Sequence, residues 1–184
     1  MFVIIITGVV SGIVASVIFF AVLLLIRPRI EISDDISYDE DGVYWIKIVN
    51  LTRSMLKNLK YTFHCYETLG DNIFHVTHIE PNKKSLFFID KYRRKDEDAK
   101  YAVAFSYRIQ ENLLRETTNK FVFIFLADHA VSNTSSCIKK EYSQYNIISG
   151  NFETGKSMKI IRRKPEQGKA FELSVSEIES TQIS

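Results

Sequence analysis

Residues 58–67 read Asn-Leu-Lys-Tyr-Thr-Phe-His-Cys-Tyr-Glu and carry the clearest secondary-structure pattern of the chain. Apolar and polar side chains alternate along it, with Leu59, Tyr61, Phe63 and Cys65 on one side and Lys60, Thr62, His64 and Tyr66 on the other. Successive side chains of a β-strand point to opposite faces, so a period of two is typical of a strand that is buried on one face. The stretch therefore predicts a half-buried β-strand.

Other short stretches on both sides of this one also predict strands. They are Val43–Asn50, Ile73–Ile79, Ser85–Lys91, Tyr101–Ile109, Lys120–Ala127, Ile138–Tyr142 and Ser157–Ile161. Phe121–Ala127 is apolar throughout, which predicts a strand buried on both faces. Asp41-Gly42 and Gly70-Asp71-Asn72 supply turn chemistry. Many short strands, with no long amphipathic helix pattern, predict a mainly β chain folded as a sandwich.

The composition narrows the class of protein. The chain has 184 residues, and its 24 Lys and Arg against 22 Asp and Glu give a net charge of only +2. This balance argues against nucleic acid as a partner, because dedicated nucleic-acid binders carry strongly basic domains. Hydrophobic residues at 46% exclude a disordered chain, and two cysteines cannot form a disulfide framework.

The N-terminal segment differs sharply from the rest, because Phe2 to Ile26 carries no charged side chain. As a helix it would be about 37 Å long, against roughly 30 Å for the hydrocarbon core of a bilayer. A cleaved signal peptide would have a basic start and a shorter apolar core. We therefore expect a retained single membrane span.

Arg27 and Arg29 follow this span and predict its orientation. Basic residues stay on the cytoplasmic side, which predicts an outside N-terminus and a cytoplasmic domain at the plasma or inner membrane. Both arginines are then expected to contact lipid head groups. Residues 1–29 form the predicted membrane segment, residues 30–161 the sandwich and residues 162–184 a mobile polar tail.

Gly8, Gly12 and Ser16 recur at a spacing of four, so they share one face of the predicted helix. Small residues on one face let two helices approach closely in lipid. This face predicts self-association of the span.

Residues 150–157 match the phosphate-binding pattern G-x-x-x-x-G-K-[ST], with Gly150, Gly155, Lys156 and Ser157 in the required places. Such a loop needs a preceding buried strand and a long helix after it. Pro165 leaves little room for that helix. Nucleotide binding therefore remains an alternative rather than the leading interpretation.

Other candidate sites are weaker. Ser37 and Ile48 occupy the places where an EF-hand loop needs Asp and Glu. The four histidines show no converging zinc pattern, and neither a G-x-S-x-G motif nor a catalytic-cysteine motif occurs. We expect a non-enzymatic protein without a cofactor or metal. Whether Cys65 and Cys137 are reduced depends on the compartment and stays open.

Several of these residues together resemble one known family. Arg27-Pro28-Arg29 after an apolar helix, then Ile32-Ser33, Gly42, Lys47-Ile48-Val49-Asn50 and Arg53, resembles the exit from the inner helix of inward-rectifier potassium channels. The later residues Tyr142, Ile147 or Ile148, Gly150 and Phe152 resemble the end of the cytoplasmic domain of that family.

The resemblance covers roughly Val9 to Ile161. It implies an immunoglobulin-like (E-set) sandwich in the cytoplasm, a tendency to assemble, and phospholipid contact at Arg27 and Arg29. It also implies that Gly150 is a turn position of the sandwich. The channels need two helices and a T-x-G-Y-G-like filter, and this chain has one span and no such filter. We do not expect it to conduct potassium alone.

The leading hypothesis is a single-pass membrane protein whose cytoplasmic sandwich binds a protein partner or a second copy at the inner surface. One alternative is an accessory or pore-forming subunit of a membrane assembly. The other is a nucleotide-binding protein that uses the 150–157 loop.

Replacing Gly8 and Gly12 by Leu should reduce dimer crosslinking of the full chain in membranes several-fold, because added side chains hold two helices apart. Val10→Leu with Val14→Leu adds similar bulk on another face and serves as the control. An unchanged dimer yield after Gly8→Leu and Gly12→Leu would contradict the predicted association face.

Overall fold

A computed structural model describes residues 2–25, 28–70, 73–82, 86–94 and 98–162. These residues form two α-helices, α1 (Phe2–Leu25) and α2 (Glu111–Arg115), and a 3-10 turn at Gln144–Asn146. The strands are β1 (Ile30–Ile32), β2 (Ile36–Tyr38), β3 (Tyr44–Asn50), β4 (Leu56–Gly70), β5 (Ile73–His78), β6 (Phe88–Ile89), β7 (Ala102–Tyr107), β8 (Lys120–His129), β9 (Ser135–Tyr142), β10 (Ile147–Ser149), β11 (Asn151–Phe152) and β12 (Ile160–Ile161).

The N-terminal apolar stretch forms the single helix α1. Every side chain that the structure describes in it, residues 6–22, is exposed. Within the described residues, no helix is both long enough and apolar enough to cross a membrane.

Sheet one is organised around β3. On one side β3 pairs with β7, and on the other its two halves pair with β1 and β2, all antiparallel. The break between β1 and β2 falls at residues 33–35, where Ser33 still donates its backbone N–H to the Lys47 carbonyl at 2.9 Å. β10 then adds to β2 in parallel, from Ile147 opposite Ile36 to Ser149 opposite Tyr38.

Sheet two is an antiparallel array in the order β5-β4-β8-β9. Its long central strand β4 also pairs with the short β6 near Leu56. The register sets Phe63 opposite Phe123 and His64 opposite His78. β5 and β9 therefore form the two edges of this sheet within the described chain.

The two sheets pack face to face around aromatic side chains. Phe63 lies at the centre, with its ring centroid 4.8 Å from that of Tyr107 and 6.0 Å from that of Phe121. Rings at such distances stabilise each other beyond the area that they bury. Tyr142 adds a polar link between the sheets, because its hydroxyl donates to the Ser33 carbonyl at 2.8 Å.

The prediction of a mainly β chain with packed sheets is confirmed. The alternation in residues 58–67 is observed, with Phe63 and Cys65 fully buried inside β4. The Asp41-Gly42 turn is also present, with Gly42 at a φ of +71° and Asp39 accepting the backbone N–H of Val43 at 2.9 Å.

Other strand predictions were too long or incomplete. Ser85–Lys91 was expected as one strand, but residues 83–85 lie outside the described residues and only Phe88–Ile89 is a strand. Ser157–Ile161 shortens to Ile160–Ile161. Phe121–Ala127 is not fully buried on both faces, because Ile124 and Leu126 are half-exposed on the outer face of sheet two.

The short strands β1, β2, β10 and β11 were not predicted. Asp71 and Asn72 of the predicted hairpin turn lie outside the described residues, although β4 and β5 do pair around it. Residues 163–184 of the predicted tail also lie outside them.

Phe63→Ala should lower the free energy of unfolding by about 3–5 kcal/mol, because it removes a fully buried ring and leaves a cavity. Urea unfolding of the detergent-solubilised full chain, followed through its single tryptophan, Trp45, measures this change. Phe88→Ala removes a ring that is 55% exposed and should cost much less. Equal losses for both variants would contradict the assignment of the core.

Candidate functional site: the helix-proximal end of the sandwich

Asn50, at the end of β3, organises the end of the sandwich that adjoins α1. Its side chain is fully buried and donates to the Ser54 carbonyl at 2.8 Å and to the Asp90 carbonyl at 2.9 Å. Its side-chain oxygen accepts the backbone N–H of Thr52 at 2.9 Å. One amide therefore fixes the loop after β3 to the segment after β6.

Backbone hydrogen bonds bring two further segments to the same place. Leu51 donates to the Arg29 carbonyl at 2.8 Å, which attaches the chain leaving α1 to this loop. Tyr92 donates to the Thr52 carbonyl at 2.8 Å, and Asn50 donates to the Tyr101 carbonyl at 2.9 Å. We call this region, residues 29, 50–54, 90–94 and 98–101, the helix-proximal end.

The surface of the helix-proximal end is basic. Its exposed cationic side chains are those of Arg29, Arg53, Lys91, Arg93, Arg94 and Lys100. Asp98 pairs with Lys100 at 3.2 Å, and the Asp90 side chain accepts the backbone N–H of Lys91 at 2.7 Å. Among the described residues, cations therefore outnumber anions at this end, which gives it a positive field.

Sequence reasoning assigned lipid contact to Arg27 and Arg29 alone. Arg27 lies outside the described residues, and Arg29 is exposed at the helix-proximal end. Lys91, Arg93 and Arg94 were not predicted as part of this surface, because they lie about 60 positions from Arg29 in the chain and backbone hydrogen bonds between distant loops bring them close. The run Lys91-Tyr-Arg-Arg-Lys was the one available signal.

The face of α1 that carries Gly8 and Gly12 is open. A Cβ added at either glycine would meet no atom of the described residues within 4 Å beyond the helix itself. Ser16 donates its hydroxyl to the Gly12 carbonyl at 2.9 Å, which satisfies the hydroxyl within the helix. The predicted association face therefore carries no unpaired hydroxyl at Ser16.

The loop of residues 150–157 has a different shape from a phosphate-binding loop. Gly150 leads directly into β11, which pairs with β12, and no helix follows Lys156 within the described residues. Lys156 is exposed and Ser157 is half-buried. The strand-to-helix context that the motif requires is thus absent from this part of the chain.

The atoms that line this loop have the wrong polarity for an anion. Lys47, buried on the outer face of β3, donates its ammonium to the Glu153 carbonyl at 2.5 Å and to the Ser157 carbonyl at 2.7 Å. Its ammonium also lies 5.9 Å from the centre of the Phe152 ring. A phosphate-binding loop presents amides to its ligand, whereas here carbonyls point inward to a cation of the protein itself.

Burial lowers the pKa of Lys47, while the nearby Glu153 raises it. The carbonyl partners of the ammonium compensate for part of the desolvation, as a buried charge requires. Lys47 therefore acts as a clamp between β3 and the 153–157 loop.

Gly150 serves close packing in this structure. It has a φ of +142°, and a Cβ at this position would lie 2.3 Å from the Ile161 carbonyl oxygen. Only glycine fits such an approach.

The two cysteines lie on different faces of sheet two. Cys65 is buried, and burial raises its pKa to about 11, whereas Cys137 is exposed on the outer face. Both are free thiols, and their opposite orientations prevent a bond between them within one chain.

His129 and Ser132 are joined by a hydrogen bond of 2.9 Å, which is the pairing used by serine nucleophiles. Here the pair belongs to the β8–β9 turn, where His129 Nδ1 also accepts the backbone N–H of Ser132 at 3.1 Å. His129 is almost fully buried, and its hydrogen bonds to Ser132 stabilise the turn.

The chain matches no known protein-family model and no curated protein.

Lys47→Met should release the 153–157 loop, because the Glu153 and Ser157 carbonyls lose their shared partner. We expect faster hydrogen exchange in residues 151–161, with unchanged exchange in β4 and β8, and a free energy of unfolding lower by about 1–3 kcal/mol. Lys159→Met alters an exposed lysine of the same segment and serves as the control. Unchanged exchange in Lys47→Met would contradict the clamp.

Proposed function

We propose that this chain is a non-enzymatic, membrane-anchored protein whose sandwich is held at the inner membrane surface, where it associates with a protein partner or a second copy. Its N-terminus lies outside the cell and its sandwich in the cytoplasm. The observation that carries the proposal is the concentration of exposed cations at the helix-proximal end, directly after an uncharged helix.

The anchor is supported by the character of α1. An apolar helix whose described side chains are all exposed needs an apolar environment or a partner to cover it. Its neighbouring sequence gives Arg27 and Arg29 on the side toward the sandwich. This distribution favours a cytoplasmic sandwich.

The basic surface supports a fixed position of the sandwich under the membrane. Because Arg29 is bonded to Leu51 through the backbone, the surface that carries Arg53, Arg93 and Arg94 adjoins the exit of α1. Each basic side chain close to an anionic leaflet contributes about 1 kcal/mol of attraction. Several such residues together would hold this end against the head groups.

An immunoglobulin-like (E-set) fold is the proposed finer description of the sandwich. The order of the strands in two packed sheets agrees with it, as does the close packing of Gly150 at a turn. The resemblance of residues 27–53 to the inner-helix exit of inward-rectifier channels points in the same direction.

Association through the sandwich is supported by the edge strand β5. Its side chains Ile73, Phe74 and Val76 are exposed, as is Leu69 at the end of β4. An exposed apolar edge strand is prone to pair with another chain, because its outer backbone groups lack strand partners.

The orientation can be measured by energy transfer from a fluorophore on the full chain to acceptor lipids in vesicles. In a Cys137→Ser background, Met55→Cys labels the helix-proximal end and Gln110→Cys labels the opposite end. The remaining Cys65 is buried and should not react. We expect stronger transfer from position 55, and more so in anionic than in neutral vesicles.

Arg93→Glu with Arg94→Glu should weaken the transfer from position 55, because repulsion replaces attraction at the anionic surface. Arg108→Glu with Lys120→Glu makes the same charge change at the opposite end and should leave it unchanged. Equal energy transfer from both labels would contradict the proposed orientation of the sandwich at the membrane. Release of the chain from vesicles by an alkaline wash would contradict anchoring by α1.

A further inference from the structure

His64 and His78 form a pair on the outer face of sheet two. They lie directly opposite each other on β4 and β5, so their side chains leave the sheet on the same side. Their ring centroids are 5.0 Å apart and the rings are inclined by 49°. Neither ring belongs to the core between the two sheets, and neither has a role in the helix-proximal end.

The pair leaves hydrogen-bonding capacity unused. Nδ1 of His64 is buried and has no hydrogen-bond partner among the described residues. A buried polar atom without a partner is costly, so it marks a place where a ligand or ion can supply the missing interaction. His78 is exposed, which leaves the pair accessible from solvent.

The spacing of the rings fits a shared metal ion. Two imidazoles that bind one metal at about 2.0–2.1 Å, at angles between square-planar and tetrahedral, have ring centroids roughly 4.6–5.3 Å apart. The observed 5.0 Å falls inside this interval. The strand register already holds both rings at this distance, so binding requires little ordering of the backbone.

We propose that His64 and His78 form a surface site for a divalent transition metal of the imidazole-seeking class, Cu²⁺, Ni²⁺ or Zn²⁺. Among the described residues, no group of three or more His, Cys, Asp or Glu side chains converges, so the protein supplies two ligands and water completes the coordination. Lys60 and Glu80 line the shallow groove beside His78. This mixed charge does not suit Ca²⁺ or Mg²⁺, which need several oxygen ligands.

The test uses the full chain in detergent, purified without a polyhistidine tag and carrying Cys137→Ser to remove the exposed thiol, and Cu²⁺ as the probe. Titration should give one saturable site, and the electron paramagnetic resonance spectrum should carry the hyperfine pattern of two imidazole nitrogens. His78→Gln should weaken binding by at least about tenfold, because one imidazole remains. His64→Gln should do the same, and Trp45 fluorescence checks that both variants are folded.

His75→Gln is the matched control. His75 lies three residues from His78 on β5, is exposed, and faces the opposite side of the sheet. Its loss should leave Cu²⁺ affinity and the spectrum unchanged. Absence of a saturable site, a one-nitrogen spectrum in the parent, or equal weakening by His75→Gln would each overturn the proposal.

Discussion

The packing of two sheets through one column of aromatic rings is the constraint on which the rest of this structure depends. Phe63 touches rings from both sheets, and Phe105, Phe123 and Tyr107 extend the contact along the interface. Large rings interlock in few arrangements, so the relative position of the sheets is narrowly set. The outer faces of the two sheets are therefore also held in a fixed relation to each other.

Polar groups at the margins of this core determine how the loops attach to it. Asn50 joins two chain segments, the loop after β3 and the segment after β6, with one amide, and Lys47 holds the 153–157 loop through two carbonyls. Each is buried on β3, and each satisfies backbone groups that no strand partner reaches. Ile46 and Ile48 of the same strand pack into the core, while Lys47 on its other face and Asn50 at its end hold the loops.

Sequence patterns predicted the long strands well, because their periodicity is a local property. The alternation from Leu59 to Cys65 needs only neighbouring residues to be recognised. By contrast, β1 and β2 are three residues each and enclose polar Ser33, Asp34 and Asp35, so no period can be detected in them. Short strands of this kind exist because β3 offers them partners, and that information is not local.

The residues proposed to contact lipid divide in the same way. Arg29 was predicted from its position after the apolar stretch, which is a local signal. Arg53 and Arg93 join it only through hydrogen bonds between distant segments. The phosphate-loop pattern is also local: its four specified residues match, whereas Lys47, whose ammonium binds two carbonyls of this loop, lies more than 100 positions earlier.

The parallel pairing of β2 with β10 affects the order in which the strands of sheet one pair during synthesis. β2 meets its partner about 110 residues after it has been synthesised, whereas β3 follows it immediately. Synthesis proceeds at roughly 5–20 residues per second, so one edge of β2 lacks its partner strand for roughly 6–22 s during translation. Sheet one is therefore completed late in synthesis, when β10 pairs with β2.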